Sequence, residues 1–285
     1  MSKNLTWINK IFVINLERSS ERLENCKIQA KKYNFEFERF PAIEGSKINR
    51  EQRKYVHPVC KYILCTNGMI GCGLSHLLVL KKIIDEKIPV ALVLEDDFIW
   101  REDTIEKLNK IKNFDKGIVK LNCIGPFCST SKPFDEPQIV DFPLGNVAYL
   151  IRFEQAKQLY EKIEKLIYHI DFQYSVTLKI NNIPIYYYPC MDVDGLDETS
   201  TIGDKNHTFL YNLLPLSPVV KWTMNEPFAS PLGFKINLFI LLSLILIITG
   251  ALVFYFSKNK YIKHFGIILL VLGLLDIIYY FFMQI

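Results

Sequence analysis

The stretch Val90-Ala91-Leu92-Val93-Leu94-Glu95-Asp96-Asp97-Phe98 runs an unbroken apolar segment into three consecutive carboxylates. An apolar run of this length after Pro89 reads as a strand covered on both faces, which places it at the centre of a parallel or mixed sheet flanked by helices. Such sheets bind ligands at the carboxyl ends of their strands. Three adjacent carboxylates repel one another. A hard divalent cation such as Mn²⁺ or Mg²⁺, held by one or two of them together with substrate phosphates, would offset that repulsion. The alternative is an acidic turn with solvated side chains.

Working outward, Ile11-Phe12-Val13-Ile14 is a second buried strand ending at Asn15-Leu16-Glu17-Arg18. Ser19 or Ser20 is then expected to cap a helix carrying Leu23, Cys26, Ala30 and Tyr33 at helical spacing. Strand, polar turn and helix in this order open a nucleotide-binding βα unit. No G-x-G-x-x-G or Walker sequence fills the turn, so any grip on phosphate must come from side chains and a metal. Arg18 and Arg22, four apart, would share one side of the first helical turn and reach a diphosphate or hold the loop by ion pairs.

Further along, Phe35 to Phe40 reads as a strand leading into Ala42-Ile43-Glu44-Gly45, and Lys47 to Tyr62 as a short helix and loop. Gly68-Met69-Ile70-Gly71-Cys72-Gly73 is expected to open a helix over Leu74 to Asp85. A charged helix from Asp103 to Ile111, a strand at 118–121 and a Pro-rich loop from Gly125 to Pro143 follow. The remaining elements are a strand at 147–151, helices at 154–167 and 172–178, and a strand at 183–188, before the acidic, turn-rich segment Asp192 to Asp204. Strands alternating with helices predict an α/β sheet.

At 285 residues the chain holds one α/β domain, assigned to 1–220, with room for more. Residues 221–235 read as a linker. From Ile236 to Phe256 there is no charged residue, the length and composition of a transmembrane helix. A second apolar segment at 265–282 is interrupted only by Asp276, which is expected to face the first helix near Ser243 or Thr249. The loop between them carries Lys258, Lys260 and Lys263 and prefers the cytosol, which would put the large domain on the other side. Against that, Met1 to Lys10 has no signal-peptide pattern, and the seven cysteines form no tight disulfide framework. The sequons Asn4-Leu5-Thr6 and Asn206-His207-Thr208 point outward. The expectation is a cytosol-facing domain with a C-terminal membrane anchor. The net charge of +4 is scattered, which argues against nucleic acid as a partner.

In an extended segment, side chains two apart share a face, so Glu95 and Asp97 would point together. Asp97 is the first choice of metal ligand, with Glu95 the second ligand or a ribose partner. His76 either bonds into the site or is a core histidine satisfied by backbone. His57, Cys60, Cys65 and Cys72 lack the C-x2-C spacing of structural zinc sites. Asp171, after His169, is either a helix N-cap or a general base. No G-x-S-x-G elbow is present.

Several of these residues fall in an ordered series. Val13-Ile14-Asn15-Leu16-x-Arg18-x3-Arg22, Ala42-x2-Gly45, Gly71-Cys72-x-Leu74-Ser75-His76 and Leu92-Val93-Leu94-Glu95-Asp96-Asp97 together resemble glycosyltransferase family 25. Ala148-Tyr149-Leu150-Ile151 with Gln155-Ala156, then His169-Ile170-Asp171 and Thr199-Ser200-Thr201-Ile202-Gly203, continue the resemblance. It implies a GT-A-like nucleotide-diphospho-sugar transferase fold, a mixed, mostly parallel sheet with helices on both faces, here followed by a transmembrane helical hairpin. It further implies a UDP-sugar donor, commonly UDP-galactose, a glycan or hydroxylysine-type protein acceptor, Mn²⁺ or Mg²⁺ as cofactor, and inversion at the anomeric carbon. The roles it suggests are Asp171 as base, Glu95 and Asp97 on the metal, and Asn15, Arg18, Arg22, Glu44, His76 and Asp96 on the donor. Arg152-Phe153-Glu154-Gln155 departs from the family's small residues at that point, and the hydrophobic C-terminal pair is not typical of its short bacterial members. A metal-dependent nucleotide-sugar hydrolase and an inactive membrane scaffold are the rival readings.

Overall fold

The computed structural model describes residues 5–123, 135–140, 142–193, 224, 227–231 and 235–282. Two compact units divide the chain, one made of 1–61 and 67–196, the other of 62–66 and 197–285.

The first unit is built on a seven-stranded mixed sheet. Its strands are β1 (Lys10–Asn15), β2 (Glu38–Pro41), β3 (Val90–Glu95), β5 (Ile118–Lys120), β6 (Gln138–Ile139), β7 (Ala148–Arg152) and β8 (Ile185–Tyr187), in the spatial order β2-β1-β3-β7-β5-β8-β6. β1 pairs in parallel with β2 and β3, and β5 with β8, while β7 enters antiparallel between β3 and β5. The apolar run that opens the argument is thus the third strand in, buried from Val90 to Leu94. On one face, Ile11 and Val13 of β1 and Leu92 and Leu94 of β3 form one core with Cys26 and Ala30 of α1 (Ser20–Tyr33) and Leu108 of α4 (Thr104–Lys110). On the other, after the short α2 (Arg50–Arg53), lies α3 (Asn67–Asp85), packed with α5 (Phe153–Lys162) and α6 (Ile170–Ile180).

The differences from the sequence reading have local causes. α3 starts at Asn67, because Gly71 sits inside the helix rather than breaking it. A Cβ there would lie 2.4 Å from the Ile43 carbonyl oxygen, so the glycine lets the strand-end loop cross the helix at backbone contact. Ser19 sits at the N-cap of α1 but makes no side-chain capping bond; its carbonyl accepts from Asn15 Nδ2 at 3.0 Å instead. α5 ends at Lys162 rather than Ile167, because Leu166 donates its N–H to Tyr55 O and accepts from the His57 N–H in a short parallel bridge. A second, two-stranded sheet pairs β4 (Phe98–Trp100) with β9 (Met191–Val193), an element too short to show periodicity. Most of 125–143, the rest of the acidic segment after Val193, residues 199–203 and both sequon asparagines lie outside the described residues.

Cys60, Cys65 and Cys123 are disulfide-bonded, whereas Cys26, Cys72 and Cys190 are free. Three bonded cysteines remove the compartment argument built on the lack of a tight disulfide framework.

The second unit contains α7 (Leu238–Phe256) and α8 (Lys260–Phe282), both long and apolar enough to cross a membrane. Asn237 caps α7 through its side chain, accepting from Ile240 N at 2.9 Å. The helices meet through small residues: a Cβ on Gly250 would fall 2.6 Å from the Gly266 carbonyl oxygen. As expected from sequence, Asp276 is buried on this seam and accepts a hydrogen bond from Ser243 Oγ.

Candidate active site at the end of the central strand

Glu95 is the last residue of β3, and Asp96 and Asp97 form the turn into β4. The chain is therefore not extended through all three carboxylates, and the expected alternation of Glu95 and Asp97 does not hold. The three carboxylates meet different surroundings.

Asp96 is tied down. Asn15, buried at the end of β1, donates from Nδ2 to Asp96 Oδ2 at 2.7 Å, and Arg22 on α1 donates to Asp96 Oδ1 at 2.9 Å. Asn15 is itself fixed by Arg39 Nε, which donates to its Oδ1 at 2.9 Å. Arg22 also approaches Asp97 Oδ2 at 4.0 Å, and its pKa is raised by the Asp96 and Asp97 charges against the opposing effect of burial. Arg18 precedes the helix rather than sharing its first turn. It pairs with Glu44 at 3.0 Å on the exposed rim, where Lys47 also bonds Glu44 and holds its pKa below the ordinary value.

Glu95 faces the other way. His76, fully buried on α3, places Nε2 3.1 Å from Glu95 Oε1 and Nδ1 3.1 Å from Tyr149 Oη on β7. Asp97 is the least compensated of the three: its Oδ1 is buried without a hydrogen-bond partner. Burial first, and then the Glu95 charge, push its pKa up to about 8. A buried oxygen with no donor beside a second carboxylate suits a hard cation, so Glu95 and Asp97 fit Mn²⁺ or Mg²⁺.

Asp171 sits in the first turn of α6, but His169 is the cap, accepting from Asp171 N at 3.3 Å. The capping alternative for Asp171 is thereby corrected. Its Oδ2 accepts from the Gly145 N–H at 3.0 Å, and its Oδ1 is buried and unbonded. Lys120 and Cys72 both feel the charges of Asp171 and Glu95, which brings the late aspartate into the same electrostatic neighbourhood as the strand-end cluster.

Lys120 was not singled out from sequence, although a lysine inside Ile118-Val119-Lys120-Leu121 is a visible signal. It is 1% exposed, donates to Gly145 O at 2.8 Å and to Asn146 Oδ1, and lies over the Tyr149 ring. Burial lowers its pKa to about 8. Cys72, whose thiol burial pushes well above the ordinary range, and Tyr149 also line this side. Nothing in their local sequence foretold their convergence on Glu95.

Residues 8–174 match the family described as "Glycosyltransferase family 25 (LPS biosynthesis protein)". Over 112 residues the chain is 32% identical to procollagen galactosyltransferase 2 of Homo sapiens, covering 36% of this chain and 18% of that protein. Over 162 residues it is 26% identical to lipooligosaccharide biosynthesis protein lic2B of Haemophilus influenzae, covering 52% and 61% of the two. The crystal structure of A197 from STIV is similar over 65% of this chain and 83% of its own, with a TM-score of 0.38 and 16% identity. The chain spans less than a third of the length of the animal relatives it matches.

Proposed function

We propose, for a chain that belongs to glycosyltransferase family 25, the transfer of a hexose, with galactose expected, from a UDP-sugar to a hydroxyl of a glycan or hydroxylysine-type protein acceptor, with inversion. One observation carries this reading: Asp97 and Asp171 each keep a buried, unbonded carboxylate oxygen around the end of the central strand. An inverting displacement needs two such capacities, one for a cation and one for a proton.

In this reading Asp171 Oδ1 takes the proton of the acceptor hydroxyl as the new bond forms to the anomeric carbon, while the Gly145 N–H holds Oδ2 and so fixes the carboxylate plane. Glu95 and Asp97 would hold Mn²⁺ or Mg²⁺, which when bound offsets the charge on the leaving diphosphate. His76 orients Glu95, and Asn15 and Arg22 orient Asp96. Arg18 and Glu44, on the open rim, are assigned to the donor's polar end.

The proposal includes a membrane anchor formed by α7 and α8. Lys258 between the helices and Lys260 and Lys263 in the first turn of α8 favour the cytosolic side for that end of the pair, and the disulfide-bonded cysteines favour an oxidising compartment for the catalytic unit. Both support a domain on the non-cytosolic side, in place of the cytosol-facing expectation. Protease digestion of sealed vesicles tests this: a protected domain in right-side-out microsomes is expected, and digestion would reverse the assignment.

For the activity itself, the test is UDP binding by calorimetry to the full chain in detergent, with and without Mn²⁺, alongside release of UDP from several UDP-sugars. Metal-dependent binding with transfer from one sugar is expected. Free sugar released equally with and without acceptor would favour a hydrolase, and no binding under any condition would favour a scaffold.

A further inference from the structure

Cys72 is a free thiol one helical turn before His76 on α3. Residues four apart stack on one face of a helix, so thiol and imidazole look the same way, and β3 ends opposite them at Glu95. One ligand atom from each of Cys72, His76 and Glu95 falls within 4.8 Å of the others. A modest closing movement would bring three ligands onto one ion.

The histidine provides a second, independent observation. Its ring is held at both nitrogens, Nδ1 by Tyr149 Oη and Nε2 by Glu95. When Nδ1–H donates to the phenol oxygen, the Nε2 lone pair is directed to the Glu95 side, and the phenol acts as the outer partner that metal-bound histidines use. Thiolate, imidazole and carboxylate form a borderline donor set that selects Zn²⁺, whereas the all-oxygen pair Glu95 and Asp97 suits Mn²⁺ or Mg²⁺. Three protein ligands leave a fourth tetrahedral position open.

We propose that Cys72 Sγ, His76 Nε2 and Glu95 form a Zn²⁺ site that shares Glu95 with the hard-cation site, so that zinc competes with Mn²⁺-dependent donor binding. The Sγ–H bond breaks, an Sγ–Zn bond forms, and the proton leaves to solvent. Zinc binding rests on the three side chains alone, and the competition rests on the transferase reading above. Spacing along the chain sets Cys72 beside His57, Cys60 and Cys65, two of which are disulfide-bonded; its partners are four residues on and at the next strand.

Calorimetry of the full chain with Zn²⁺, wild type against Cys72→Ser, tests the site, with Co²⁺ as a spectroscopic probe. The expected result is one zinc per chain, weakened at least about tenfold in the variant, since a lost ligand is worth no less than a lost outer partner. Co²⁺ on wild type should give a thiolate-to-metal charge-transfer band in the near ultraviolet, a readout needing no variant. Absence of that band, or equal zinc affinity in Cys72→Ser, overturns the proposal. Mn²⁺-promoted UDP binding should survive in Cys72→Ser and be suppressed by zinc only in wild type; suppression in both overturns the competition. If UDP never binds while zinc and the cobalt band behave as expected, the zinc site is supported and the transferase reading fails.

Discussion

The Gly145 N–H donates to Asp171 Oδ2 at 3.0 Å, and the carbonyl of the same glycine accepts from buried Lys120 at 2.8 Å. Gly145 holds φ at 88°, a conformation that side chains with a Cβ rarely adopt, so this bridge between lysine and aspartate depends on glycine. Asp171→Asn keeps an acceptor for Gly145 but has no basic oxygen. Transfer should fall by about 10²- to 10⁴-fold, the usual contribution of a general base, with UDP affinity unchanged. A variant that loses UDP binding and transfer together would mean that Asp171 supports the fold of the site rather than the proton transfer.

Lys120 should give the domain a rising stability profile in mild alkali. Its pKa is lowered from 10.5 in the unfolded chain to about 8 in the folded one, because burial disfavours the charge. Below about 8 both states are protonated and the cost of the buried charge is fully present. Between 8 and 10.5 the unfolded chain holds a proton that the folded chain has lost, so this group's contribution to stability improves with pH. The melting-temperature difference, wild type minus Lys120→Met, should grow across that window, and a flat difference would refute the assignment.

Asp97→Asn should separate stability from function. Removing a carboxylate destabilised by burial and by Glu95 is expected to leave the metal-free protein as stable as wild type or more so, while the gain in melting temperature on adding Mn²⁺ disappears. A variant that still gains stability from Mn²⁺ would take Asp97 off the metal.

Asp96 is expected to behave oppositely. It accepts from Asn15 and Arg22 at once, so Asp96→Ala removes two hydrogen bonds at a half-buried site and should cost about 2–3 kcal/mol. Denaturant unfolding of the variant measures this; an unchanged midpoint would mean water replaces the carboxylate freely.

Gly71→Ala places a methyl 2.4 Å from the Ile43 carbonyl oxygen and 2.8 Å from Gly45 N, backbone atoms that cannot rotate away. A loss of about 1–3 kcal/mol is expected from the forced separation. Glu44 lies on the displaced loop, so a weaker UDP affinity with unchanged metal binding should accompany it.

The central strand and its terminal acids were legible because an apolar run stopped by charge is local information. The same is true of β1, α1 and the two apolar C-terminal helices. Strand order was not legible: Ala148–Arg152 reads alike whether it runs parallel or antiparallel to β3, since backbone pairing is indifferent to its apolar side chains. The glycines from 68 to 73 read as the opening of a helix that in fact already runs through them, and those at 71 and 73 serve close approach, because a sequence shows missing side chains but not what fills the gap. The partners of the acids were half legible. Asn15, Arg22 and His76 were named, but that Asp96 goes to the first two and Glu95 to the third depends on a turn at Asp96-Asp97 that the period-two argument excluded.

The hydrogen bond from Ser243 to Asp276 bears on how the chain is made. A helix carrying a carboxylate within its apolar stretch partitions poorly into lipid alone, whereas the preceding helix, uncharged throughout, does not need help. For the membrane anchor proposed above, the earlier segment would therefore wait at the translocon for the later one during synthesis, and the two would leave as a single unit. Swapping the first helix for a generic polyleucine span should strand the second outside the bilayer and mark the protein for disposal, even though every catalytic residue is intact.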